Sequence, residues 1–234
     1  MENKIFEERL QHYAPGFHQV VPLEPGDVLL KMDLTRENTK LDPDLLADTE
    51  AFSRWVDQQV SHAGARYGIG GYDEHRTIYS RSEVFGTADS QEEPRRLHLG
   101  IDIWGPVRVG IMAPLDGVVH SFAFNDAFGD YGATLILEHE LEGLHFYTLY
   151  GHLSLDSIHN KVKGQKVAIG ETIAFFGDIS ENGHWPPHLH FQLIRDMQGY
   201  FGDYPGVCKF SERAAYLHNC PDPDIILNMM KRAQ

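Results

Sequence analysis

Ala133-Thr134-Leu135-Ile136-Leu137-Glu138-His139-Glu140 is followed, after four residues, by His145-Phe146-Tyr147-Thr148-Leu149-Tyr150-Gly151-His152-Leu153. Both runs are apolar or alternating and rich in β-branched and aromatic residues, which fit a pleated, half-buried surface. Similar runs lie on either side, at 117–124, 172–176 and 189–194. Gly, Asp and Pro separate them, and no helical pattern intervenes. Antiparallel pairing is therefore expected rather than βαβ units.

The flanks read differently. Residues 5–13 predict a short helix and residues 27–32 a strand. Asp42-Pro43 supplies an N-cap and a first-turn proline, and Leu45, Leu46, Phe52, Trp55, Val56 and Val60 then recur at helical spacing. A glycine-broken run at 67–76 and a polar linker at 87–94 follow. Beyond the β region, Ser211 is placed to cap a short helix, and Asp222-Pro223 opens another carrying Ile225, Ile226, Leu227, Met229 and Met230. The expected organisation is a helical and loop segment over 1–92 packing on the core, a β core over 93–200, and a helical extension over 201–234.

A chain of 234 residues can bury one sizeable core but not two full domains. Lys plus Arg is 20 and Asp plus Glu 34, a net charge of −14, so phosphate backbones would repel it and nucleic acid is not an expected partner. No run of 18 apolar residues predicts a membrane helix. The first eight residues lack an apolar signal core, so a cytoplasmic location is the expectation. Cys208 and Cys220 are too few for a disulfide framework and are expected to be reduced. Histidine is the unusual count. Of 14, seven (His139, His145, His152, His159, His184, His188, His190) fall within 52 residues, and imidazole binds metals and moves protons near neutrality.

Three features carry chemistry: His98-Leu99-Gly100-Ile101-Asp102, His188-Leu189-His190, and His152 in Tyr150-Gly151-His152-Leu153-Ser154. On a strand, His188 and His190 share one face about 6.6 Å apart while Leu189 and Phe191 share the other. One imidazole can then bind a metal while its neighbour faces substrate. His98 and Asp102 would sit about 13 Å apart on a straight strand, so sharing an ion requires a bend that Gly100 permits. Taken alone, each pair also fits ordinary surface or turn residues. Together, His98, Asp102 and His190 make three protein ligands with one open position, the composition of a catalytic zinc site.

These residues resemble peptidase family M23, the lysostaphin-like or LytM-type zinc endopeptidases of peptidoglycan. The similarity runs from about 97 to 194 and includes Ala113-Pro114-Leu115-Asp116-Gly117, Asp130-Tyr131-Gly132-Ala133, Tyr150-Gly151-His152 and Pro187-His188-Leu189-His190-Phe191. The resemblance implies a mainly β fold, an antiparallel β-sheet groove (a duplicated hybrid motif) with helices at both ends of the chain. It implies one zinc per chain on His98, Asp102 and His190, catalytic roles for His152 and His188, and hydrolysis of peptide or muropeptide amides by a zinc-activated water. Two departures border the groove: His184-Trp185-Pro186-Pro187 replaces the usual Thr-Gly-Pro, and Gln192 replaces the usual Glu. M23 modules also occur within cytosolic multi-domain proteins.

Two other functions compete. One is a metal-retaining module that binds peptide or glycan without cutting it. The other is a phosphohistidine carrier, because residues 98–103 also resemble the His-Phe-Gly-Ile-Asp-Thr segment of IIA glucose-type phosphotransferase proteins, although that leaves His188 and His190 unused. Tyr131, His184 and Trp185 are candidates to line the groove. The run at 68–76 combines flexible glycines with Tyr72, Glu74, His75 and Arg76. It either packs along one groove wall, bringing such groups as Tyr72 and Arg76 to the site, or is a surface connection.

Overall fold

A computed structural model of the chain describes residues 2–86 and 91–234; residues 87–90, within the expected polar linker, lie outside the described residues. The N-terminal part contains helix α1 (Glu2–Tyr13), strand β1 (Leu29–Lys31), helices α2 (Pro43–Ala47) and α3 (Thr49–His62), and strands β2 (Tyr67–Gly70) and β3 (Glu74–His75). The β region holds β4 (Leu97–His98), β5 (Ile101–Trp104), β6 (Gly110–Met112), β7 (Gly117–Asn125), β8 (Gly132–Leu141), β9 (Leu144–Leu153), β10 (Lys166–Val167), β11 (Thr172–Phe175) and β12 (His188–Ile194). Strand β13 (Val207–Cys208) and helices α4 (Arg213–Asn219) and α5 (Asp224–Leu227) complete it. The fold is mainly β and rich in antiparallel pairs.

The largest sheet runs β1-β2-β5-β12-β9-β8-β7-β10, and β13-β4-β3 form a second, smaller one. The five strands expected in the β region all form, within a residue of the boundaries read from the sequence, and the strand expected over 27–32 forms as the shorter β1. One pairing departs from expectation: β1 and β2 are parallel, with Leu29 opposite Tyr67. Parallel neighbours need a crossover, and α2 and α3 supply it. The glycine-broken run at 67–70 is thus a buried sheet strand, pairing on its other side antiparallel to β5 with Gly70 opposite Asp102.

Local chemistry explains the other differences. The helix expected from Pro43 onward is two helices. Asp42 caps the first by accepting from Leu45 N at 2.8 Å, and Asp48, itself extended, caps the second by accepting from Ala51 N at 3.0 Å. A short Asp carboxylate bonds backbone N–H groups more readily at a helix start than inside one. Ser211 does not cap α4, whose N-cap is Glu212 without a side-chain bond. Helix α5 stops after Leu227 because Asn228 adopts the left-handed conformation (φ 49°) that terminates helices. Among the described residues, no helix is long and apolar enough to cross a membrane.

Alternation places the core. Leu135 and Leu137 of β8, Phe146 and Tyr150 of β9, and Leu189 and Phe191 of β12 are fully buried in one cluster, which Phe6 and Leu10 of α1 also join. Each such side chain contributes roughly 1.5–3 kcal/mol on leaving water. A second cluster joins Phe52 and Val56 of α3 to Tyr79, Phe85, Trp104 and Trp185. It brings the N-terminal third against the β region. His188 and His190, out of phase with Leu189 and Phe191, project from the face of β12 opposite the main core.

Candidate metal centre and active site

Sheet register assembles most of the site. His190 pairs with Asp102 on one side and with Gly151 on the other, so β5, β12 and β9 present these positions in one row. His188 pairs with Trp104, and their rings stack with centroids 5.7 Å apart. His152 gets there differently. Between β8 and β9 the register shifts where the three residues from Ala133 to Leu135 oppose the four from Tyr150 to Leu153. Within this bulge His152 takes φ 62°, and its N–H bonds Tyr131 O at 2.8 Å. Bulges re-aim side chains in this way. His152 and His188 end with ring centroids 4.2 Å apart.

His98 arrives from the smaller sheet. The chain leaves β4, bends at Leu99-Gly100 and enters β5, so the straight-strand separation never arises. The bend brings backbone against a ring. A Cβ on Gly100 would lie 2.5 Å from His190 Cε1, 2.6 Å from His190 Nε2 and 2.8 Å from Phe191 O, so only glycine fits.

His98 Nε2, His190 Nδ1 and Asp102 Oδ1 form a triangle with sides of 2.9, 3.1 and 3.3 Å. Hydrogen-bond partners decide what those nitrogens carry. His98 Nδ1 faces Gly71 O at 3.0 Å, so it is the donor and Nε2 holds the lone pair. Gln192 donates its amide N–H to Pro205 O at 3.2 Å, which turns Oε1 toward His190 Nε2 at 2.9 Å. His190 therefore donates through Nε2 and exposes the Nδ1 lone pair. Three electron-rich atoms thus converge in a buried place with no proton among them. That arrangement calls for a cation. Four ligands around zinc at 2.0–2.1 Å lie about 3.3 Å apart, so the donor set fits this metal in type and spacing.

Electrostatics keep the flanking imidazoles neutral. Burial lowers His188 to about 4, and burial together with His188 and His190 pushes His152 well below its usual value. Each orients through Nδ1, His152 on Asn182 O at 2.8 Å and His188 on Pro186 O at 2.6 Å, leaving an Nε2 lone pair. Burial opposes ionisation of Asp102, yet the Arg76 guanidinium at Oδ2 holds its carboxyl well below the usual range.

A cavity of about 290 Å³ opens onto these groups. Tyr131, Trp185 and Arg76 line it, and the Tyr131 hydroxyl is 3.4 Å from His190 Nε2. His184 and Tyr72 are not brought there. His184 is exposed beside Phe128, and Tyr72 turns away to donate its hydroxyl to Cys220 O at 2.6 Å. Phe52, Tyr79 and Phe85 line the cavity from the N-terminal third and went unread as site residues, because their spacing signals only core. The orienting carbonyls of Gly71, Asn182 and Pro186 have no sequence signal at all. Both cysteines are free and buried, with Cys220 Sγ accepting from Gln192 Nε2 at 3.3 Å.

Residues 96–200 match the family model for peptidase family M23. This part of the chain is an M23 peptidase domain. Among solved structures, the chain is 29% identical to a zinc-containing peptidase from Vibrio cholerae, covering 42% of this chain and 27% of that one, with a TM-score of 0.33. LytU is 27% identical over 51% of this chain and 74% of its own (TM-score 0.36). The lysostaphin catalytic domain from Staphylococcus simulans is 20% identical over 70% and 96% (TM-score 0.40). The chain thus spans about a quarter of the Vibrio cholerae protein. No curated protein matches it. The M23 match begins at residue 96, so Gly71 and Arg76, which touch His98 and Asp102, lie outside it.

Proposed function

We propose that the M23 domain is a zinc-dependent endopeptidase acting on peptide amides of the peptidoglycan type. His98, Asp102 and His190 would hold one zinc, which when bound supplies an activated water and polarises the scissile carbonyl. The observation that carries this reading is the triangle of three unprotonated donor atoms facing the cavity beside two neutral imidazoles. His152 and His188 each present an Nε2 lone pair, so one accepts the proton of the attacking water. That proton, passed to the other ring, whose centroid lies 4.2 Å away, makes its Nε2–H the donor to the developing oxyanion and then goes to the leaving amine. Burial of both rings favours the neutral form that a general base requires. Tyr131 and Trp185 confine the substrate backbone beside them. The catalytic unit includes the N-terminal third, because Gly71 sets the tautomer of His98.

A phosphocarrier role is disfavoured by the position of His98. It is 1% exposed, its Nδ1 donates to Gly71 O, and the Asp102 carboxylate 3.3 Å from Nε2 would repel an incoming phosphoryl group. The deciding experiment incubates zinc-loaded protein with muropeptides and a synthetic peptide library and reads products by mass spectrometry. New amine and carboxyl termini that vanish with chelator and in His190→Ala are expected. Saturable peptide binding by a zinc-replete protein, with no new termini, would instead establish the non-cleaving module.

A further inference from the structure

Arg76 lies outside the M23 match and is 2% exposed. Its strand context fixes where it points. Strand β3 pairs antiparallel with β4, with Glu74 opposite His98, and Arg76 N donates to Arg96 O at 3.0 Å. Residues two apart on extended chain project to one side, so Glu74 and Arg76 both face the site, while His75 packs against Phe210 on the other. The guanidinium Nε donates to Glu74 Oε2 at 2.5 Å, and Nη1 donates to Asp102 Oδ2. Its Cζ sits 5.6 Å from the Trp104 ring centroid, and Trp104 in turn stacks on His188.

Asp102 is therefore a divided carboxylate. Oδ2 belongs to Arg76, whereas Oδ1 faces His98 Nε2 and His190 Nδ1. Two consequences follow. A carboxylate held by one oxygen has only the other to offer a metal. The buried group of Glu74, Arg76 and Asp102 carries one net negative charge instead of two, and breaking a buried pair by removing one partner leaves an uncompensated charge.

Taking His98, Asp102 and His190 as metal ligands, we propose that Arg76 is the positioning residue of this centre: it holds Asp102 as a one-oxygen ligand and serves as the counter-ion that keeps the ligands assembled without metal, at the cost of a weaker hold on the metal. The second part follows from Coulomb's law, because a cation hydrogen-bonded to a ligand carboxylate repels a divalent ion at short range in a poorly screened place.

The test uses the full chain as wild type, Arg76→Met, Arg76→Lys and the double variant Glu74→Gln/Arg76→Met. Three readouts apply: zinc dissociation constant by chelator competition, thermal unfolding with and without zinc, and the visible spectrum of the cobalt(II) form. Arg76→Met should bind zinc at least about tenfold more tightly than wild type. Its metal-free form should unfold at a lower temperature and gain more from zinc. Arg76→Lys, which keeps the charge, should stay within a few-fold of wild-type affinity. The double variant restores the net charge of the group, so its affinity should return close to wild type. Its cobalt absorption, however, should drop several-fold as Asp102 swings to bind through both oxygens and the four-coordinate site becomes five-coordinate. Unchanged or weaker zinc binding in Arg76→Met overturns the counter-ion role, and a wild-type cobalt spectrum in the double variant overturns the positioning role. If Arg76→Met folds only with zinc, the counter-ion role is upheld. If it does not fold at all, the double variant and Arg76→Lys decide. Wild type that binds neither zinc nor cobalt overturns the ligand assignment itself, an outcome distinct from either failure.

Discussion

His98 Nδ1 lies 3.0 Å from the carbonyl oxygen of Gly71, 27 residues upstream and outside the M23 domain. Metal-binding imidazoles are oriented through their other nitrogen, and the acceptor there fixes the tautomer. A histidine of the M23 domain, proposed above as a metal ligand, thus takes its protonation pattern from a segment that the family match does not reach. Gly71 directly follows β2, which pairs with β5 in the main sheet, and leads into β3, which pairs with β4, so strands on both sides hold the contact in place.

Purified protein should hold about one zinc per chain, measured by elemental analysis, with His98, Asp102 and His190 as ligands. His190→Ala removes one of three protein donors and should lose the metal together with any activity. Full zinc occupancy in that variant would reject the assignment.

His152→Ala and His188→Ala should keep zinc, since neither ring belongs to the donor triangle. Each should reduce turnover by a factor on the order of 10²–10⁴, the span expected when acid–base or oxyanion help is lost. Metal content and peptide cleavage measured on the same preparations separate the two effects. Undiminished cleavage in both variants would remove these histidines from the chemistry.

Gly100→Ala is the smallest change that should dismantle the centre. The added methyl would meet the His190 ring at 2.5 Å and Phe191 O at 2.8 Å, so the ring must leave its place in the triangle. Zinc affinity should fall by roughly 10–100-fold, the range for disturbed ligand orientation. A chelator titration and a thermal melt check this, the melt reporting whether the fold survives. Unaltered zinc affinity would mean that the close approach does not exist.

His139 predicts acid sensitivity away from the site. Burial lowers it from 6.5 to about 4, while its ring nitrogens bond Asp116 O at 2.8 Å and Thr148 Oγ1 at 2.7 Å. The folded pKa is depressed, so the unfolded chain takes the proton first. Stability is full above about pH 6.5 and declines as the pH falls toward 4, by about 2 kcal/mol at pH 5 from this residue. Urea unfolding of metal-free protein at pH 7 and pH 5 should show a smaller loss in His139→Gln than in wild type, by about that amount. Equal losses would exclude His139 as the source.

The strands and the donor set were legible because both are local patterns. Alternation at 133–140 and 145–153 fixes which residues face the core whatever the neighbours are, and His188-Leu189-His190 places two imidazoles on one face for the same reason. The single helix read from Pro43 onward was wrong in detail, since apolar spacing carries across Asp48 while its carboxylate starts a new helix. The parallel pairing of β1 with β2 was also missed, because a strand of three residues says nothing about its partner.

By itself the sequence determined the β core and the need for a bend at Gly100 if His98 and Asp102 are to share an ion, and both follow from residue type and spacing along the chain. It offered His98, Asp102 and His190 as a donor set, while the flanking roles of His152 and His188 came from the resemblance to family M23. Only the tertiary structure decided that Gly71 and Gln192 set the tautomers, that Arg76 takes one oxygen of Asp102, and that Tyr72 turns away while Phe52, Tyr79 and Phe85 line the cavity. Those contacts join residues far apart in the chain, several of them through backbone carbonyls that every residue possesses. No pattern of side chains encodes them. They exist because sheet register and the packing of the N-terminal third bring particular atoms within hydrogen-bonding or van der Waals reach.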